Sequence, residues 1–216
     1  MKESKKPKMN GSPEEINHLE EICSRNKYVD THTMRSVLEL AIEIAREGRE
    51  GRKIGTMFIV GDEEAVLELS RPLILDPLAG HPADKKNIAD PNLRETVKEL
   101  AQLDGAFIVS NSGVVLSAAR YIDAQVKDIE LPLGLGSRHL AAASITRQTR
   151  AAAVVVSESS VVRILNEGKI IAEIIPELWL VQRARSPLAF EKFRSVPKEE
   201  ITILTKTKEE TDSDSK

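Results

Sequence analysis

A single cysteine, Cys23, stands among 216 residues, so neither an internal disulfide nor a cysteine-built zinc site is available to this chain. A reducing compartment is expected, and with it a cytoplasmic location. Aromatic residues make up only 3% of the sequence, which leaves an aliphatic core and argues against a platform that stacks several bases of single-stranded nucleic acid. Net charge is also small, −3 at pH 7, so no overall positive field draws the chain onto nucleic acid or anionic lipid. Neither nucleic acid nor a membrane is an expected partner. The longest apolar runs, such as Ala151–Val156, fall far short of the roughly 18 consecutive residues that would cross a bilayer, and the N-terminus carries no signal-peptide hydrophobic region. Walker A, HExxH, nucleophile-elbow and Rossmann fingerprints are missing too.

What is present suits one domain with tails, since a single core usually takes roughly 100–200 residues. The lysine-rich opening and the charged, Ser/Thr-rich end read as solvated segments. We expect a partly disordered extension over 1–30, a domain over 31–185 and a tail over 186–216. Within the domain the hydrophobic period switches repeatedly. Met34, Val37, Leu38, Ala41, Ile42 and Ala45 repeat as one face of a helix, with Thr31 or Thr33 as its cap and Gly48 after it. Ile54–Val60 reads as a buried strand, Asp62 as the cap of a short helix, and Asp90-Pro91 as the cap and first turn of another. The stretch from Pro72 to Pro91 is mostly loop. Asn111-Ser112-Gly113 turns one hairpin and Asn166-Glu167-Gly168 a second, with an alanine-rich helix from about Gly136 to Gln148 and a strand over Ala152–Val156 between them. Helices that alternate with strands and hairpins predict an α/β fold: a three-layer domain with a central mixed β-sheet flanked by helices.

Three stretches put polar residues at the ends of these elements, where ligands of α/β domains gather. Asp104-Gly105 reads either as a simple turn or as a carboxylate for a divalent cation beside a glycine that admits a ligand. Arg138 and His139 fall in the first turn of a helix preceded by Gly134-Leu135-Gly136. Cations there oppose the helix dipole unless an anion lies between them, so the pair is either solvated or part of an anion site. Glu158, flanked by Ser157, Ser159 and Ser160, is either part of a polar turn or a second metal ligand or base. His18, His32 and His81 lack metal-ligand spacing, and Cys23 reads as packing.

Taken together these stretches are identified as a family pattern. Asp104-Gly105-Ala106, then Gly136-Ser137-Arg138-His139-Leu140-Ala141-Ala142, then Ser157-Glu158-Ser159 resemble, in order and spacing, the catalytic domain of diadenylate cyclases, also known as the N-terminal domain of the DNA-integrity scanning protein, and look most like its stand-alone archaeal form. The resemblance implies condensation of two ATP into cyclic di-AMP and two pyrophosphates with Mg²⁺ or Mn²⁺. It implies that Asp104 binds the metal and helps activate the ribose 3′-hydroxyl, with Glu158 on the metal side. Gly136, Ser137, Arg138, His139 and Ser157 would hold phosphates, while Gly105 and Ala106 line the nucleotide. Among these, Asp104, Arg138 and His139 are the expected catalytic set.

Two departures stand out: Leu140 replaces a frequent second Arg, and Ser159 a second Glu. They motivate the alternative of a catalytically weak nucleotide or cyclic-dinucleotide sensor with the same pocket. Closing a ring from two identical nucleotides needs two 3′-oxygens, each in line with the other's α-phosphorus. A face-to-face homodimer, within a larger oligomer or not, is therefore the expected assembly.

Overall fold

The computed structural model describes residues 19–126, 129 and 131–176, together with the backbone of 192–196 and 201–205. The lysine-rich opening and the last eleven residues of the expected tail lie outside the described residues. Among the described residues, 19–23 are helical, and four further α-helices follow: α1 (Thr31–Glu47), α2 (Glu63–Glu68), α3 (Pro91–Leu100) and α4 (Ser137–Gln148). The strands are β1 (Thr56–Val60), β2 (Ser70–Pro72), β3 (Ala106–Val109), β4 (Val115–Ile122), β5 (Ala152–Val156), β6 (Val162–Asn166), β7 (Lys169–Ile175), β8 (Lys192–Val196) and β9 (Ile201–Thr205). They form one sheet in the order β2-β4-β3-β1-β5-β6-β7-β9-β8. Only β1 and β3 run parallel; every other pair is antiparallel, so the sheet is mixed as expected.

The layering follows from side-chain alternation. Along β1, Phe58 and Val60 face one cluster and Met57 and Ile59 the other; β5 divides Val154 and Val156 from Ala153 and Val155 in the same way. Helices α1 and α3 cover the first face through Val37, Leu38, Ala41, Leu93 and Val97. Helices α2 and α4 cover the second through Val66, Ala142, Ala143 and Ile145. The central strands β1, β3 and β5 are buried on both sides, which is why they read as unbroken apolar runs. Phe58 and Phe107 sit opposite each other in the parallel pair, and their rings stack with centroids 5.1 Å apart.

Several local expectations shift. The cap of α1 is Asp30, not Thr31 or Thr33: its carboxylate accepts the Thr33 amide at 2.8 Å. Asp62 precedes α2 but makes no side-chain cap; it stands in the left-handed region and accepts instead the Arg150 amide at 2.8 Å, tying the β1–α2 junction to the end of α4. Asp90 and Pro91 open α3 as expected. The loop before α3 holds one short 3₁₀ turn, Ala83–Lys85. Residues 19–30, assigned above to an extension, place Ile22, Cys23 and Val29 in the core. Strands β8 and β9 come from the stretch assigned to the tail and complete one edge of the sheet.

Candidate active site

One end of the sheet gathers the three polar stretches. Strands β1 and β3 begin there, the antiparallel β5 ends there, and the register that sets Met57 beside Ala106 and Thr56 beside Val156 aligns the loops before and after them. Asp104 and Gly105 lead into β3, Glu158 follows β5, and the N-terminus of α4 lies across that end, carrying Arg138.

Arg138 joins the other two. Its Nη2 donates to Asp104 Oδ1 at 3.2 Å and its Nη1 to Glu158 Oε1 at 3.2 Å. The guanidinium is one-third exposed, whereas the two carboxylates are open to solvent, 87% for Asp104 and 70% for Glu158. This pairing resolves the electrostatic conflict in the sequence. A cation in the first turn of α4 is acceptable because two anions lie against it.

A glycine beneath the clamp escaped the sequence reading. Gly55, buried just before β1, lies so near that a Cβ there would stand 2.5 Å from Arg138 Nη1 and 3.1 Å from Glu158 Cγ. The signal was a lone glycine ahead of a strand, which reads as punctuation. Gly105 has a different reason to be glycine. Its φ is +106°, and a Cβ would meet the backbone of Ala119 and Arg120 at 2.7–2.9 Å, so β4, not a ligand, occupies that side. Ala106 is wholly buried in the second core cluster. Gly136 caps α4 without a side chain, and a Cβ there would meet nothing within 4 Å, which leaves the approach to the helix's first amides open. Ser137 is exposed beside it. Ser157 and Ser159 share a hydroxyl contact of 2.9 Å in the turn that carries Glu158.

His139 turns the other way. It is only 6% exposed, and its Nε2 lies 3.3 Å from Arg163 Nη1. Arg163 in turn donates to Glu173 at 2.8 Å, and both of these side chains are buried. Burial first, and then the guanidinium groups of Arg163 and Arg138, push the His139 pKa down to about 4. The ring is neutral at pH 7. Arg163 and Glu173, charges of opposite sign inside apolar strands, were missed. Their signal is one such residue in each of two strands that a tight turn brings side by side.

Among the remaining candidates, His32 lies in the first turn of α1, His81 lies in the loop after β2, and His18 falls outside the described residues. Cys23 is buried and its thiol is pushed up to about 12 by that burial, which suits packing and not nucleophilic chemistry. No group of three or more His, Cys, Asp or Glu that could hold a metal ion occurs among the described residues. Two open carboxylates on one guanidinium nevertheless suit Mg²⁺ or Mn²⁺, which bind through one or two carboxylates and complete their shell from phosphates and water.

The sequence family described as DAC, DisA bacterial checkpoint controller nucleotide-binding, matches residues 43–170, a span that holds all three stretches and more than half of the chain. The chain belongs to the DAC family. A protein named diadenylate cyclase from Methanocaldococcus jannaschii is 49% identical over 145 residues, covering 67% of this chain and 46% of that protein. Another of that name from Haloferax volcanii is 41% identical over 157 residues, covering 71% and 56% respectively. The DAC chain thus spans about half the length of the curated relatives it matches. A solved structure of a DacA double mutant from Staphylococcus aureus aligns with a TM-score of 0.43 at 21% identity, over 64% of this chain and 84% of that one. No described helix of the DAC chain is long and apolar enough to cross a membrane.

Proposed function

We propose that this chain joins two ATP molecules into cyclic di-AMP with release of two pyrophosphates. The observation that carries the reading is the convergence of Asp104, Arg138 and Glu158 at the open start of α4 in a chain of the DAC family. The first amides of α4 and the Ser137 hydroxyl receive phosphate oxygens, where the helix dipole favours negative charge. Arg138 leaves the two carboxylates for the phosphates and neutralises charge as it builds on the transferring group.

Asp104 and Glu158 would then hold Mg²⁺ or Mn²⁺, which when bound supplies charge neutralisation at the α-phosphate and acidifies the attacking hydroxyl. Asp104 takes the 3′-hydroxyl proton. The 3′-oxygen forms its bond to the α-phosphorus of the other nucleotide as the bond to the β-phosphate oxygen breaks and pyrophosphate departs. Positioning does most of the work in this chemistry, and one chain offers one nucleotide half-site. Two copies facing each other across a two-fold axis therefore make the complete site.

The test is incubation of the purified protein with ATP and Mn²⁺ or Mg²⁺, followed by chromatography. Cyclic di-AMP and pyrophosphate in a 1:2 ratio are expected. Retained ATP without product would favour the sensor, the reading motivated by Leu140 and Ser159 in place of a second Arg and a second Glu. No binding of ATP would remove both.

A further inference from the structure

We propose that Arg163, held by Glu173, is a positioning residue: it fixes the imidazole of His139 and through it the first turn of α4 that presents Arg138. The proposal rests on the function above, because positioning matters only if Arg138 serves that site.

Leu135 before α4 and Ala141 after its first turn pack against the second cluster, but the first turn itself sends few side chains inward. Gly136 provides no side-chain cap, Ser137 and Leu140 are exposed, and Arg138 is spent on the open carboxylates. In that first turn His139 alone is buried, at the head of the stripe continued by Ala142, Ala143 and Thr146. Its ring therefore sets the rotation of the turn. The ring rests on Arg163, which occupies β6 directly between Val155 of β5 and Glu173 of β7 in register. Strand β5 is the one that leads to Glu158.

Arg163 reaches both neighbours with different nitrogens, Nη1 to His139 at 3.3 Å and Nη2 to Glu173 at 2.8 Å. A guanidinium only donates, so Nε2 of His139 must accept and the ring proton sits on Nδ1. The contact thus fixes one tautomer as well as one orientation. As a source of stability the arrangement is poor, since a buried ion pair seldom outdoes apolar residues of the same volume, and Arg163 Nε finds no hydrogen-bond partner among the described residues. The apolar cluster on the same side of the sheet includes Val155, Leu165, Ile170, Ala142 and Ala143.

The experiment compares the wild-type chain with two variants. Arg163→Met with Glu173→Met removes both charges together, so no lone buried charge is left behind. Arg163→Lys keeps the charge but loses the fork that serves two partners. Ring nitrogen correlation spectra of His139 without nucleotide are expected to show a single tautomer, proton on Nδ1, in the wild type and a mixture of tautomers in both variants. Turnover of ATP is expected to fall about 10- to 100-fold in kcat, with KM for ATP changed less and the thermal midpoint of Arg163→Lys near that of the wild type. An unchanged tautomer in the variants, or unchanged kcat with a shifted tautomer, overturns the proposal. If the wild-type chain makes no cyclic di-AMP, the cyclase reading falls by itself. The tautomer comparison then still decides whether Arg163 fixes the ring.

Discussion

Asp104→Asn is expected to reduce cyclic di-AMP synthesis by about 10³-fold or more while leaving the fold intact. The fold should not notice, because the side chain is 87% exposed and its hydrogen bond goes to a guanidinium that keeps a second partner in Glu158. Surface changes of this kind usually shift stability by less than about 0.5 kcal/mol. The chemistry should notice strongly. Asparagine keeps the shape but offers a neutral oxygen where the proposed reaction needs a metal ligand and a proton acceptor. Initial rates at saturating Mn²⁺, set beside thermal midpoints, provide the check. A turnover within a few-fold of the wild type would take Asp104 out of the mechanism.

Gly55→Ala should have the second largest effect, and it tests the geometry of the clamp without replacing a charged group. The added methyl would lie 2.5 Å from Arg138 Nη1, 3.2 Å from its Cζ and 3.1 Å from Glu158 Cγ. These are side-chain atoms that can swing away, and Gly55 is not among the residues with positive φ, so the backbone accepts alanine. The burden falls on the fork between Asp104 and Glu158. Displacing reacting groups by about 1 Å can lower a rate about 10²-fold, and we expect a loss of that size in kcat with little change in stability. Wild-type kcat in Gly55→Ala would mean that the reaction does not need Arg138 and Glu158 to lie close against residue 55. Gly105 offers the contrast: its Cβ would strike the backbone of β4, so a substitution there reports on folding and not on the clamp.

Much of this was written in local pattern. The switch from helical to strand periodicity, the Asp90-Pro91 start and the two glycine turns each matched an element, because each rests on contacts within a few residues. The three polar stretches that meet at one end of the sheet were legible for a related reason: open polar residues at element ends stand out against apolar runs. Long-range accommodation was not legible. Gly55 is glycine because of atoms from residues 138 and 158, and Gly105 because of β4, neither of which its neighbours in sequence announce. Asp30 outcompeted Thr31 and Thr33 as a cap since its carboxylate accepts the Thr33 amide while that threonine's hydroxyl donates to the Asn111 carbonyl. Strands β8 and β9 sit among charged residues, which hid their place in the sheet.

The central claim is that Asp104, Arg138 and Glu158 act together on the phosphates of ATP at the start of α4. A crystal structure of the protein with a non-reacting ATP analogue and Mn²⁺ addresses it most directly. The account predicts the metal on Asp104 and Glu158, the triphosphate against Ser137 and the first amides of α4, and Arg138 moved from the carboxylates to phosphate oxygens. A nucleotide bound elsewhere, or one bound with Arg138 still bridging the two acids, would contradict it.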